Sequence, residues 1–238
     1  MNAGQVSSLT SELLGSALVV TLDREQRRNA FDDDLRNTLL ALLQSEPDPT
    51  CRLLVLRARG PVFSAGNDIQ MLDARKAAGG APELGRLQLE SLRLLQAFTT
   101  SAVPTLAVVD GPVYGFAADL LTHCDWVIGS ERAAFHWPEW KFGIMPTGSS
   151  LERCGPEFLW RGLPVGFTAH EAHSSGLLRQ LEKSEDLDSS LREHTTWVGE
   201  LSPGMYEAWR AAVLSIRSTP PSLWSRLPGL WAPDEDRS

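Results

Sequence analysis

Three short apolar runs, Ala17–Leu22, Leu53–Leu56 and Thr105–Val109, constrain the fold of this chain most. Each is rich in Val and Leu, short enough to be a buried strand, and followed by a turn and then a segment of helical periodicity. Strands that alternate with helices pair in parallel within an α/β fold, because a parallel neighbour is reached only through a crossover. After the first run comes the polar loop Asp23–Asn29, then Phe31, Leu35, Leu39, Leu40 and Leu43 at helical spacing, behind aspartates that suit a helix N-terminus. Pro47-Asp48-Pro49 ends that helix. The second run leads through Gly60-Pro61 to a short helix over Ile69–Lys76, a mobile loop at Ala77–Pro82 and a longer amphipathic helix marked by Leu84, Leu87, Leu94, Leu95 and Phe98. Beyond the third run the pattern predicts a helix over about Ala117–His123 and strands around Asp125–Gly129 and Ala133–Trp137. Helices over Ala169–Ser175, Leu187–Trp197 and Met205–Ile216 complete the reading.

At 238 residues and 42% hydrophobic content, the chain can bury one sizeable core. Residues 1–165 read as that core, 166–218 as a helical C-terminal region of the same fold, and 219–238 as a loose proline-rich tail. A net charge of −8 argues against nucleic-acid binding, so an anionic ligand needs local basic residues. Cys51, Cys124 and Cys154 match no metal or redox spacing and fit unreactive thiols in a reducing compartment. The apolar stretch Leu13–Leu22 is interrupted at Gly15 and Ser16 and lacks a basic lead, so neither a membrane span nor a signal is expected, and a cytoplasmic location is the default.

Two small-residue turns suggest chemistry. Phe63-Ser64-Ala65-Gly66-Asn67-Asp68-Ile69 follows a strand, and Tyr114-Gly115-Phe116-Ala117-Ala118 opens a helix; either can aim backbone N–H groups at a developing anion. Asp119 and Glu139 follow as acid/base groups, which together suggest enolate chemistry on a bound carbonyl compound. The plainer alternatives are that Asp119 answers a helix dipole, that Glu139 is a solvated surface residue and that the turns are ordinary connections. His170-Glu171-Ala172-His173 lacks the spacing of a zinc motif, and neither a G-x-S-x-G elbow nor a dinucleotide or P-loop signature occurs. The tryptophans from Trp197 to Trp231 read as core or interface residues.

The ordered set of motifs resembles the crotonase, or enoyl-CoA hydratase/isomerase, superfamily. Phe63–Ile69 is similar to its first oxyanion-hole segment and Asp110–Gly115 to the lead into its second. Asp119–Asp125, Phe135–Glu139 and Gly143–Pro146 continue in order, with Asn29-Ala30 before them and Thr168–Ala172 and Gly176-Leu177 after, so that the likeness spans about residues 15–215. The resemblance implies an α/β crotonase-like spiral of ββα units with a helical C-terminal region, assembled as a homo-trimer or hexamer. It implies an acyl-CoA thioester as ligand, coenzyme A being part of the substrate, with no separate cofactor and no metal. The amides of Asn67 and Phe116 would form the oxyanion hole, and Asp119 and Glu139 match the two hydratase glutamates. Arg27 and Arg28 are the candidates for the coenzyme A phosphates, while Ala30, Ala65, Asp68 and Ile69 fall where the family contacts adenine or pantetheine mainly through backbone.

Two positions depart from the family pattern. Asp119 is one methylene shorter than glutamate, and Phe116 stands where glycine is usual, so its ring either packs into the core or reshapes the acyl pocket. Trp137 and Trp140 are candidates for an apolar setting around Glu139. Thr147 occupies a position where a subset of the isomerases carries glutamate. Enoyl-CoA hydration is the first reading. Isomerisation or decarboxylation on the same scaffold is the second, and a non-catalytic acyl-CoA-binding or assembly protein is the third, since the family's usual helical ending is not recognisable after Trp209.

Overall fold

The computed structural model describes residues 8–142, 146, 155–156 and 158–217. Its main sheet has the strand order β1-β2-β3-β4-β6-β9, from Leu9–Leu14 (β1), Ala17–Leu22 (β2), Leu53–Ala58 (β3), Thr105–Val109 (β4), Trp126–Ser130 (β6) and Gln180–Glu182 (β9). All pairs from β2 onward are parallel, as the alternation of strands and helices requires; β1 alone runs antiparallel, as a hairpin with β2. A smaller sheet combines Pro112–Tyr114 (β5), Ala134–His136 (β7) and Phe167–Thr168 (β8). The chain passes from the large sheet to the small one twice, from β4 into β5 and from β6 into β7, which generates the spiral.

Helices Asp33–Gln44 (α1), Ala81–Thr99 (α3) and Phe116–Leu121 (α4) cover one side, and Ile69–Gly79 (α2), with no buried residue, packs against α3. Phe31, Leu35 and Leu39 pack with Leu56, Phe63, Leu94, Phe98 and Phe116 in the larger core cluster. The smaller cluster joins the other side of the sheet, Val19, Val55, Leu106 and Ile128, to Leu187, Leu191 and Val198 of Leu187–Glu200 (α6) and to Tyr206 of Pro203–Arg217 (α7). Ala169–Ser174 (α5), started by a capping box of Thr168 and Glu171, adds Ala169 and Ala172 to the larger cluster.

Two local expectations are corrected. The segment before Gly15, to which the sequence reading assigned no element, is the edge strand β1, in which only Leu9 is buried. The loop expected at Ala77–Pro82 contracts to a single junction, Gly80, at φ 60° between α2 and α3. Glycine tolerates that dihedral, and Pro82 sits in the first turn of α3, where its missing N–H costs no helical bond. The tail from 219 lies outside the described residues, as do Gly143–Met145, Thr147 and Cys154.

Candidate active site

The first turn is strapped into place from both sides. Phe63 N–H donates to the Pro112 carbonyl (3.0 Å) and Tyr114 N–H to the Ser64 carbonyl (3.0 Å), continuing the small sheet by one parallel bridge. On its other edge, Phe31 N–H donates to Gly66 O (2.7 Å) and Asp68 N–H to Phe31 O (2.9 Å). In this parallel bridge Phe31 uses the groups on either side of Asn67, so the Asn67 N–H itself faces away from Phe31. Ser64 Oγ donates to Asn29 O (2.7 Å) and accepts from Gly66 N–H (3.2 Å), which tightens the bend. Gly66, at φ 80°, has no room for a side chain: a β-carbon there would lie 2.5 Å from the Tyr114 carbonyl oxygen and 3.5 Å from the Phe116 nitrogen. The two turns therefore abut.

The second turn rests on Gly115, at φ 54°, whose N–H donates to His136 O (2.7 Å). Phe116 is the first residue of α4, so its N–H has no intrahelical acceptor. Among the described residues neither the Asn67 nor the Phe116 amide donates to a protein acceptor. The Phe116 ring lies in the core, edge-on to Phe31 at 5.2 Å between centroids, which settles its two sequence alternatives in favour of packing.

Asp119 lies in the first turn of α4 and is 4% exposed, and its Oδ1 accepts from Trp137 Nε1 at 3.1 Å. Trp137 is itself held by edge contacts to Phe158 and Phe167. Glu139 sits in the 3-10 turn Pro138–Phe142 that follows β7, with its carboxylate directly over Gly115, where a β-carbon would collide with it. Its Oε2 is buried and has no hydrogen-bond partner among the described residues. Burial first, and the negative charge of Asp119 second, push the Glu139 carboxyl from 4.5 to about 7. Glu139 is half-buried as a residue with its Oε2 shielded from solvent, so it is not a fully solvated surface residue; of the two tryptophans, Trp137 is buried and Trp140 is 40% exposed.

The remaining predicted residues gather around the first turn. Arg27 and Arg28 are exposed, and Ala65 N–H donates to Arg28 O (2.9 Å), so their backbone is anchored to the oxyanion segment. Ala30 is buried. Asp68 caps α2 through Gln70 N–H (2.9 Å), and Ile69 is 72% exposed beside it. Among the described residues no cluster of His, Cys, Asp and Glu could hold a metal, and no helix is long and apolar enough to cross a membrane. Two arginines escaped the sequence reading. Arg24 reaches Asp32 (2.7 Å) and Asp68 (3.8 Å), while Arg36, on α1, is 1% exposed and contacts both Asn67 and Phe116. A surface-coloured residue within an apolar stripe gives no sequence signal of such contacts.

A parallel sheet that spirals into a second sheet and sets two abutting glycine turns beside two buried carboxyl groups defines a protein of the crotonase superfamily. The chain belongs to the enoyl-CoA hydratase/isomerase family, whose model matches residues 13–215. It is similar to a Thermus thermophilus protein that bears the name of an enoyl-CoA hydratase, 34% identical over 175 residues, covering 70% of this chain and 68% of the relative. An enoyl-CoA isomerase/hydratase of Mycosarcoma maydis is 33% identical over 154 residues, covering 60% of this chain and 54% of that one, so the match reaches little more than half of that relative. Among solved structures, an enoyl-CoA hydratase/isomerase from Xanthobacter autotrophicus superposes with TM-score 0.79 at 25% identity, over 89% of this chain and 80% of the other. Pseudomonas aeruginosa AtuE gives TM-score 0.80 at 28% identity, over 90% and 86%.

Proposed function

We propose that the protein adds water to, or removes it from, an enoyl-CoA thioester through an enolate. The observation that carries this reading is the Glu139 carboxyl, whose buried Oε2 has no hydrogen-bond partner among the described residues and which lies beside Asp119 and over the turn that presents the Phe116 amide. In the hydration direction, Asp119 takes a proton from water as its oxygen bonds to Cβ. The π electrons move through Cα to the thioester oxygen, where the Asn67 and Phe116 N–H groups hold the negative charge; two such donors are worth about 3–4 kcal/mol each. Glu139 then delivers its proton to Cα and the carbonyl reforms. A carboxyl held near 7 suits that step, because at neutral pH it carries a proton in about half of the molecules and gives it up readily.

Arg27 and Arg28 meet the coenzyme A phosphates from the rim, and the backbone around Ala30, Ala65, Asp68 and Ile69 takes the adenine and pantetheine. Coenzyme A enters as part of the substrate, and the working form is a homo-trimer or hexamer. The deciding experiment offers a panel of enoyl- and carboxyacyl-CoAs and weighs the products. Hydration adds the mass of water; isomerisation leaves mass unchanged; decarboxylation removes carbon dioxide. Loss of turnover is expected in Asp119→Asn and in Glu139→Gln, and full activity in both would refute the assignment.

Isomerisation is the second reading, favoured by the same Glu139, whose Oε2 is free of partners among the described residues and which could carry one proton between two carbons unaided. Binding of acyl-CoA without conversion of any panel member would point instead to a carrier or assembly role.

A further inference from the structure

We propose that Arg36 is a positioning residue of the oxyanion hole: its one guanidinium ties together the side chains of Asn67 and Phe116, the two residues whose amides hold the thioester oxygen. The proposal rests on the thioester reading above. Arg36 Nη2 donates to Asn67 Oδ1 at 2.6 Å, and the guanidinium carbon lies 4.5 Å from the centroid of the Phe116 ring. A third contact, Nη1 to Ser91 Oγ at 3.0 Å, fixes the group to α3, where Ser91 Oγ in turn donates to Leu87 O at 2.8 Å. The planar fork of arginine is what allows one side chain to serve an amide oxygen, a hydroxyl and an aromatic face at once.

The energetics argue against a mere packing role. Arg36 is 1% exposed and, among the described residues, makes no ion pair within 4 Å and leaves its buried Nε without an acceptor. A buried charge so placed is costly, and an apolar residue of the same length would spare the cost. Burial lowers the guanidinium to about 10, against raising contributions from Asp33 and Glu90, so it stays cationic at neutral pH. What the guanidinium supplies is a side-chain brace between two turns whose other ties run through the backbone, by the Ser64–Val113 bridge. It also sets a fixed positive charge behind the site where the enolate forms, in a setting that screens it weakly.

The test uses the full-length protein and an aryl-substituted enoyl-CoA, whose conjugated carbonyl absorbs at longer wavelength when hydrogen bonds polarise its oxygen. Wild type is expected to shift the bound absorption to the red. Arg36→Met, checked for folding by its melting curve, is expected to lose at least half of that shift and to lower kcat about tenfold to a hundredfold, with KM changed less than about threefold. Arg36→Lys keeps the charge without the fork and recovers only part. Should Arg36→Met not fold, Asn67→Ala removes one contact while keeping the amide, and a smaller loss in the same direction is expected. A full red shift in folded Arg36→Met, or in Asn67→Ala when that variant stands in, overturns the proposal even if kcat falls. Absence of any shift in wild type with bound thioester instead overturns the thioester reading, and this proposal with it.

Discussion

Glu139→Gln should make the protein more stable as the solution becomes more alkaline, while abolishing turnover. In the native fold the carboxyl is held at about 7, against 4.5 for the free group, because its buried site and Asp119 disfavour the charged form. The folded state therefore binds more protons than the unfolded one between these values, and its stability must fall as pH rises through that window. The contribution is fully present below about 4.5 and lost above about 7. At about 1.4 kcal/mol per unit, the shift from 4.5 to about 7 amounts to about 3 kcal/mol. Glutamine does not titrate, so the variant lacks this loss. Urea unfolding of both proteins from pH 4 to 9, on the order of ten points, gives the difference in unfolding free energy. That difference should rise by about 3 kcal/mol in favour of the variant and level off above about pH 7. A constant offset from altered hydrogen bonding at Gln shifts the whole curve without changing its slope. A difference independent of pH would refute the burial argument and the proton-delivering role built on it.

Asp119→Asn removes the second cause of the Glu139 shift and leaves the first, so the Glu139 carboxyl should drop below 7 yet stay above 4.5; its protonated band in isotope-edited infrared spectra reads this directly. Trp137→Phe deletes the 3.1 Å bond to Asp119 Oδ1 and should cost about 1.5–3 kcal/mol, measured as lost stability and as a fall in kcat/KM. Gly115→Ala would drive a methyl into the Glu139 carboxylate at a φ of 54°, so turnover should disappear even where the variant still melts cooperatively. Arg27→Ala with Arg28→Ala should raise KM for coenzyme A thioesters in a salt-sensitive way and leave KM for thioesters of pantetheine alone nearly unchanged.

The strands that build the main sheet were legible because burial on both faces leaves continuous apolar runs: Ala17–Leu22 coincides with β2, and Thr105–Val109 with β4. β1 was not, because an edge strand with only Leu9 buried carries no apolar alternation. The junction at Gly80 was misread for a different reason. Gly79, Gly80 and Pro82 look like a run of breakers, whereas one positive φ suffices to end α2 and a proline in the first turn favours α3. Within the site, the turns and both carboxyl positions could be found by order and spacing. Arg36 could not, since its partners Asn67, Ser91 and Phe116 belong to three separate segments that only tertiary packing unites.

The two departures from the family pattern bear on different links of the chain from sequence to chemistry. At Phe116 the change concerns the side chain, but the function ascribed to the position belongs to the backbone. Because Gly115 supplies the unusual φ and Gly66 the close approach, Phe116 can keep a helical first-turn amide and turn its ring into the core against Phe31. Phenylalanine is then compatible with an oxyanion hole, and its bulk creates the aromatic face on which Arg36 sits. At Asp119 the change concerns the group proposed to react, and no backbone adjustment can restore a missing methylene. The carboxyl is instead tied to Trp137, whose indole is wedged between Phe158 and Phe167, so the shorter side chain is also the more rigid one. Reach has been exchanged for fixity at Asp119, while Glu139, with one oxygen free of partners among the described residues, retains the freedom that the proposed proton transfer needs. That asymmetry, more than the presence of two carboxyl groups, is why the proton to Cα is assigned to Glu139.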